Sequence, residues 1–208
     1  MRKVWFVCCM LLLGGYVSAQ VPLEHPEMYV GAQGGMTGST VHFSPSVDTE
    51  PFMAFGIMGG AKWRYIAEKH FGLQIELNYS QRGWKETNSY IRQTDYIELP
   101  MMTHLYIGNK VRGYLNIGPQ ISYLIAERSM HLPTDASGYQ YEQLQNRFDY
   151  GLCGGLGFQV RTPAGSYELD ARFNYSLSNV YHASKTDHFS VSNNMNIAVC
   201  FCWMWQVQ

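Results

Sequence analysis

The chain has 208 residues, 46% of them hydrophobic and 15% charged, with 15 basic and 16 acidic side chains and a formal net charge of −1. A soluble domain usually carries about 25% charged residues. The balanced charge argues against a nucleic-acid binder, and the hydrophobic content argues against disorder. Twenty glycines and 14% aromatics point instead to a single β-rich domain with many turns.

The chain opens with Arg2 and Lys3, an apolar run from Val4 to Leu13, and the small-residue sequence Val17-Ser18-Ala19. That is the three-part layout of a secretory signal peptide, so residues 1–19 are expected to be removed and residues 20–208 to form the mature domain. The apolar run falls short of the ~20 residues of a membrane helix. Cys8 and Cys9 sit inside this run, which leaves Cys153, Cys200 and Cys202 in the mature chain. An odd number is no disulfide framework. Cys200-x-Cys202 lacks the four ligands of a structural metal site, so all three read as small interior side chains and no cofactor is expected.

The remainder alternates with a period of two, the signature of strands whose faces differ. Tyr29 to Thr37 is a Gly-rich first strand. Phe55, Ile57, Ala61, Trp63 and Tyr65 then oppose Gly56, Met58, Gly60, Lys62 and Arg64. Phe71, Leu73, Ile75, Leu77 and Tyr79 oppose Gly72, Gln74, Glu76, Asn78 and Ser80. Ile97, Leu99, Met101, Leu105 and Ile107 oppose Tyr96, Glu98, Met102, His104 and Tyr106. Leu115, Ile117, Ile121, Tyr123 and Ile125 oppose Asn116, Gly118, Gln120 and Ser122. Phe148, Tyr150, Leu152, Leu156, Phe158 and Val160 oppose Asp149, Gly151, Cys153, Gly155, Gly157 and Gln159. Tyr167, Leu169, Ala171, Phe173, Tyr175 and Leu177 oppose Glu168, Asp170, Arg172, Asn174 and Ser176. Met195, Ile197, Val199, Phe201, Trp203 and Trp205 oppose Asn194, Asn196, Ala198, Cys200, Cys202 and Met204. The pattern predicts about eight strands of roughly 9–14 residues.

The connections alternate as well. Ala67–His70, Gly108–Val111 and Thr162–Gly165 are tight turns, whereas Gly38–Phe52, Gly83–Gln93, Glu127–Asn146 and Asn179–Phe189 are longer and polar. Long and short rims in strict alternation predict an all-β, eight-stranded antiparallel up-and-down transmembrane β-barrel, with both termini on the short-turn, periplasmic side. Three features place the apolar face outward against lipid: the low charged fraction, the glycines that suit a cramped eight-stranded interior, and the aromatics near strand ends. The predicted interface aromatics are Trp63, Tyr65, Phe71, Tyr79, Phe148, Tyr150, Phe158, Trp203 and Trp205. Inward charges buried without partners would cost several kcal/mol each. Lys62, Arg64, Glu76, Glu98, Asp149, Arg161, Glu168, Asp170 and Arg172 are therefore expected to pair in a network filling the bore.

Five segments carry a family resemblance: Glu76-Leu-Asn-Tyr-Ser-Gln-Arg-Gly83, Tyr96-Ile-Glu-Leu-Pro100, Gly118-Pro-Gln-Ile-Ser-Tyr-Leu124, Asp149-Tyr-Gly-Leu-Cys-Gly-Gly-Leu-Gly157 and Arg172-Phe-Asn-Tyr-Ser-Leu-Ser-Asn179. Together they resemble the blocks of PorT-like outer-membrane β-barrel proteins, over nearly all of the mature chain. The resemblance implies the outer membrane of a Gram-negative bacterium of the Bacteroidota type, and an association with type IX protein secretion. It implies no catalytic residues.

The function expected is a non-enzymatic outer-membrane barrel with a structural or accessory role. Its partners would be outer-membrane lipid, the barrel-assembly machinery and secretion or envelope proteins, and not nucleic acid. The alternatives are a small-solute porin-like channel and a soluble periplasmic ligand-binding barrel. A membrane-embedded enzyme would use Ser122 and His104, but no Gly-x-Ser-x-Gly elbow or His-Glu-x-x-His motif is present. His42, His131, His182 and His188 fall in predicted loops, as do Tyr139 and Tyr141, which could contact a partner.

Overall fold

A computed structural model describes residues 22–44, 52–85, 90–131, 146–178 and 191–207. The predicted signal segment, Cys8, Cys9, Tyr139, Tyr141, His182 and His188 lie outside the described residues.

Eight strands form one closed barrel: β1 (Pro22–Ser44), β2 (Phe52–Glu68), β3 (Phe71–Lys85), β4 (Tyr90–Gly108), β5 (Val111–His131), β6 (Phe148–Thr162), β7 (Gly165–Ser176) and β8 (Val191–Gln206). Each pairs antiparallel with its sequence neighbours, and β1 pairs with β8 from Tyr29↔Gln206 to Ser44↔Val191. The sheet therefore closes on itself, and every strand finds hydrogen-bond partners on both sides across the apolar band.

The predicted faces are those observed. Along β7, Tyr167, Leu169, Ala171 and Phe173 are exposed on the outer wall, while Glu168, Asp170, Arg172 and Asn174 are buried in the bore. The turns are also where the pattern put them. β2 and β3 join at Lys69-His70, β4 and β5 at Asn109-Lys110, and β6 and β7 at Pro163-Ala164. Gly108 and Gly165 supply positive φ there, at 103° and 120°, where a Cβ is unfavourable. His70 takes φ 75° without being glycine. Its ring Nδ1 lies 2.9 Å from the Tyr106 carbonyl oxygen, and its own carbonyl accepts the Tyr106 N–H at 3.1 Å. These two contacts hold it in place.

Seven of the eight strands are longer than predicted, from 15 residues in β3 and β6 to 23 in β1, while β7 at 12 residues falls within the expected range. The alternation locates only the part of each strand that meets the apolar band. Beyond that band apolar and polar residues no longer alternate cleanly, the period-two signal fades, and backbone pairing continues regardless. Segments assigned to loops are thus partly strand: Gly38–Ser44 continues β1, Tyr90–Gln93 opens β4, and Glu127–His131 ends β5. His42 and His131 accordingly lie in strands rather than loops. A register shift between Asp95 and Tyr96 buries Thr94, Asp95 and Tyr96 in succession, a bulge that period-two reading cannot see.

On β7 the outward rings of Tyr167 and Tyr175 are eight residues apart, about 26 Å along the strand and about 20 Å after a barrel tilt near 40°. That suits the ~25 Å apolar band of an outer-membrane barrel.

Inward glycines set how closely β1 can approach β8. A Cβ on Gly35 would lie 2.1 Å from the Val199 carbonyl oxygen and 2.7 Å from the Cys200 Cα, whereas outward Gly34 has nothing nearer than the Met58 carbonyl oxygen at 3.9 Å. We expect Gly35→Val to prevent closure and abolish the heat-modifiable gel mobility of the folded barrel. Gly34→Ala should leave that mobility unchanged.

Candidate functional site: the barrel lumen

The bore is filled by side chains in tiers. The middle tier contains Lys62, Arg64 and Arg172 against Glu76, Glu168 and Asp170, three cations with three carboxylates, all fully or almost fully buried. Arg64 donates two parallel hydrogen bonds to Glu168, at 2.5 and 3.0 Å. Arg172 grips Glu76 the same way at 2.6 and 3.0 Å, and reaches Asp170 at 3.1 Å. Lys62 lies between them, 3.2 Å from Glu168, 3.6 Å from Asp170 and 3.9 Å from Glu76. Amides complete the tier. Gln33, Gln74 and Asn78 donate to Glu76 at 2.7, 2.6 and 2.8 Å, and Gln74 accepts from Arg64 Nε at 2.7 Å. Forked guanidinium–carboxylate pairs with amide support are the geometry in which desolvated charge is tolerable.

Towards the long-loop rim, Arg82 bridges Glu98, at 2.7 and 2.9 Å, and Asp149 at 2.9 Å. Ser176 and Ser178 donate to Asp149 at 2.8 and 2.5 Å. Arg82 also lies over the Tyr96 ring, 4.7 Å from its centroid. Beyond it, Arg92 covers Trp84 and pairs with Glu127.

Towards the short-turn rim the bore becomes aromatic and apolar. Tyr29, Ile66, Tyr106, Tyr114, Cys202 and Met204 form one buried cluster, with the His104 ring packed against both Tyr106 and Tyr114. Glu27 closes this mouth from β1. It accepts two hydrogen bonds from Arg112 on β5, at 2.8 and 3.1 Å, and one from Tyr29 at 2.9 Å.

Eight of the nine predicted lumen residues line the bore. Arg161 does not. Its side chain is 31% exposed at the short-turn mouth, 3.3 Å from Glu27, because β6 has cleared the barrel end at that residue. The nine also do not form one network: Glu98 and Asp149 belong to the separate Arg82 tier. Sequence reasoning missed Arg82, Arg92, Arg112, Glu27 and Glu127. Three of these were within reach of the pattern. Arg82 keeps the parity of Glu76, Asn78 and Ser80, Arg112 that of Tyr114 and Asn116, and Glu27 that of Tyr29.

Among the predicted interface aromatics, Trp63, Tyr65, Phe71, Phe158, Trp203 and Trp205 are on the outer wall towards the short turns. Tyr79, Phe148 and Tyr150 are towards the long-loop rim. Trp203 and Trp205 meet edge to face at 6.0 Å. Phe55, Tyr123, Tyr167 and Tyr175 extend the same two belts.

Ser122 and His104 are not brought together. Ser122 is opposite Glu98 and His104 opposite Asn116 in the β4–β5 ladder, about 20 Å apart along the strands. Ser122 accepts from Arg82 and Gln120 at 3.2 and 3.1 Å, and His104 Nδ1 lies 2.7 Å from Asn116 Oδ1. Cys153, Cys200 and Cys202 are free and buried. Among the described residues no group of three or more His, Cys, Asp or Glu side chains is placed to hold a metal ion.

Removing one member of a desolvated pair strands its partner, at about 3–5 kcal/mol. Glu168→Gln, which leaves Lys62 and Arg64 without their shared carboxylate, should therefore lower the unfolding free energy in a urea titration by about that much. The double change Glu168→Gln with Arg64→Met should cost less than the single one.

The model of the outer membrane protein beta-barrel domain family matches residues 19–182. Among solved structures, OprG of Pseudomonas aeruginosa aligns with 86% of this chain and 95% of its own, at 10% identity and a TM-score of 0.52. Ail, the attachment invasion locus protein of Yersinia pestis, aligns over 86% and 99% at 14% identity and a TM-score of 0.45. Neisserial surface protein A aligns over 86% and 99% at 12% identity and 0.46. At such identities the likeness is one of fold. No curated protein matches the sequence. With its closed eight-stranded sheet and a family match across most of its length, the chain belongs to the outer membrane protein beta-barrel domain family.

Proposed function

We propose that this protein is a non-enzymatic integral outer-membrane barrel with a structural or accessory role. Its export signal is residues 1–19, its termini and short turns face the periplasm, and its long-loop rim faces the cell exterior. The two outward aromatic belts take the membrane interfaces.

The observation that carries the reading is the filled bore. A porin-like channel needs a continuous aqueous path, whereas here the middle tier, the Arg82 tier and the aromatic cluster at the short-turn mouth succeed one another with their side chains buried. The apolar wall supports lipid over a soluble ligand-binding barrel, whose apolar face would turn inward. The finer assignment, to PorT-like proteins with a link to type IX secretion, is supported by the five sequence segments. An accessory role of that kind would be exercised through the rims, since the bore offers no passage for cargo.

In planar lipid bilayers the purified protein should show no stable step conductance. Reproducible steps would instead make it a channel. A photoactivated carbene probe dissolved in the bilayer should label Leu169 and Phe173 and spare Glu168, Asp170 and Arg172. The reverse pattern would turn the barrel inside out.

A further inference from the structure

Between Cys153 and Gln159 the inward face of β6 is bare, because Gly155 and Gly157 hold both positions. The two glycines are there for different reasons. A Cβ on Gly157 would lie 2.3 Å from the Leu169 carbonyl oxygen, so the approach of β7 forbids one. A Cβ on Gly155 would meet nothing nearer than Asp170 Oδ1 at 3.0 Å and the Ala171 carbonyl oxygen at 3.1 Å. A small shift of the Asp170 carboxylate would accommodate it. Strand approach does not demand glycine at 155, and its absent side chain leaves room above β6.

Polar atoms collect around that room. The ladders set Asn116 and Arg172 on either side of Gly155, and Tyr114 and Asp170 on either side of Gly157, with His104 next to Asn116. Tyr114 Oη reaches over β6, 2.6 Å from where a Gly157 Cβ would stand. Among the described residues, no hydrogen-bond partner meets His104 Nε2, Asn116 Nδ2, Tyr114 Oη, Asp170 Oδ1, Arg172 Nε or either amide atom of Gln159. All six residues are buried, none more than 5% exposed. Buried polar groups are rarely left in that condition.

The chemistry of the set selects its occupant. His104 Nδ1 donates to Asn116 Oδ1 at 2.7 Å, which leaves His104 Nε2 as an acceptor and Asn116 Nδ2 as a donor. Arg172 Nε donates, Asp170 Oδ1 accepts, and the Tyr114 hydroxyl and the Gln159 amide do both. A cation would face Arg172, and an anion would face Asp170. A small neutral molecule that donates and accepts equally suits them all, and that molecule is water.

We propose that the room above Gly155 and Gly157 is an enclosed hydration site, in which ordered waters join Tyr114, Asn116 and Gln159 to Asp170 and Arg172. The waters link β5 to β7 across the one stretch where the intervening strand supplies no side chain. The buried cluster of Tyr29, Ile66 and Met204 shuts the site off towards the short turns, so it adds no conducting path. The inference goes beyond the proposed function and does not depend on which rim faces the cell exterior.

Radiolytic footprinting tests this, because hydroxyl radicals made from a bound water oxidise the side chains beside it even where bulk solvent is excluded. The folded protein in phosphatidylcholine nanodiscs is pulsed with heavy-oxygen water, irradiated and mapped by mass spectrometry. Tyr114 should be oxidised, with heavy oxygen entering it only after a delay. Tyr29 and Met204, fully buried in the mouth cluster, should be spared. Gly155→Ala, which fills the room, and Gln159→Leu, which removes two partners, should each lose most of the Tyr114 oxidation. Both are checked for folding by heat-modifiable mobility. A Tyr114 that is not oxidised would overturn the proposal by making this stretch dry. Oxidation of Tyr29 and Met204 to the same extent, with immediate entry of heavy oxygen, would overturn it by revealing an open aqueous path. Tyr114 oxidation unchanged in both variants would place the water elsewhere and overturn it too.

Discussion

Hydrocarbon offers no hydrogen-bond partner, and the consequences of that one fact organise the molecule. A sheet edge left open in the apolar band would cost several kcal/mol for each unpaired group, so β1 must find β8. Having closed, an eight-stranded sheet encloses a bore only wide enough for side chains. The same constraint then sorts those side chains. Nothing ionic is stable on the outer wall at band depth, so charge is driven inward, and the narrow bore forces each charge against another. Closure, the apolar wall and the paired lumen are one solution to one problem.

The tiers show how the pairing is arranged. Lys62 and Arg64 on β2 meet Glu168 on β7, and Arg172 on β7 meets Glu76 on β3. These contacts cross the bore rather than run along one strand pair. They tie together walls that the backbone ladder does not join directly. The pairs set the register of opposite walls as much as they offset the cost of burying charge, since a slip of one residue on β7 would turn Glu168 and Arg172 to lipid. The Arg82–Asp149 pair links β3 to β6 in the same way, as does the Arg112–Glu27 fork between β5 and β1, whereas Arg82–Glu98 joins the neighbouring strands β3 and β4.

How much of this was legible in the sequence follows from what period-two alternation measures. It reports a contrast between faces. Where one face meets lipid and the other a polar bore, as from Tyr167 to Leu177, the contrast is complete and both the strand and its inward residues are plain. Where the chain leaves the band the contrast disappears, so Gly38–Ser44 and Glu127–His131 read as loops although they are strands. Arg82, Arg112 and Glu27 were lost at those margins, though their parity was correct. Arg161 was the opposite error, since its charge suggested the lumen while its place at the end of β6 put it at the mouth. Partner choice was not legible at all. Alternation shows that Glu98 points inward but carries no information about which inward cation lies across from it. That depends on the stagger between strands, and here it separates the Arg82 tier from the middle one.

The ladder lengths give the barrel a direction as well as a shape. On the short-turn side the hairpins are trimmed to two-residue links between β2 and β3, β4 and β5, and β6 and β7, and Glu27 draws the start of β1 across the mouth to Arg112. On the other side β1 pairs with β8 up to Ser44↔Val191 and β4 with β5 up to Tyr90↔His131, whereas the β6–β7 ladder stops at Gly151↔Ser176. Among the described residues the ladders therefore end at different heights, higher at β8–β1 and β4–β5 than at β6–β7. The bulge, which leaves Ile125 of β5 unpaired between Asp95↔Ala126 and Tyr96↔Leu124, adds a local increase of twist there. A plain scaffold needs only a band to span the membrane and a sealed bore. Ladder built above the band on one side is structure that spanning does not require. Whatever recognition this barrel performs is therefore to be sought on that rim rather than through the bore.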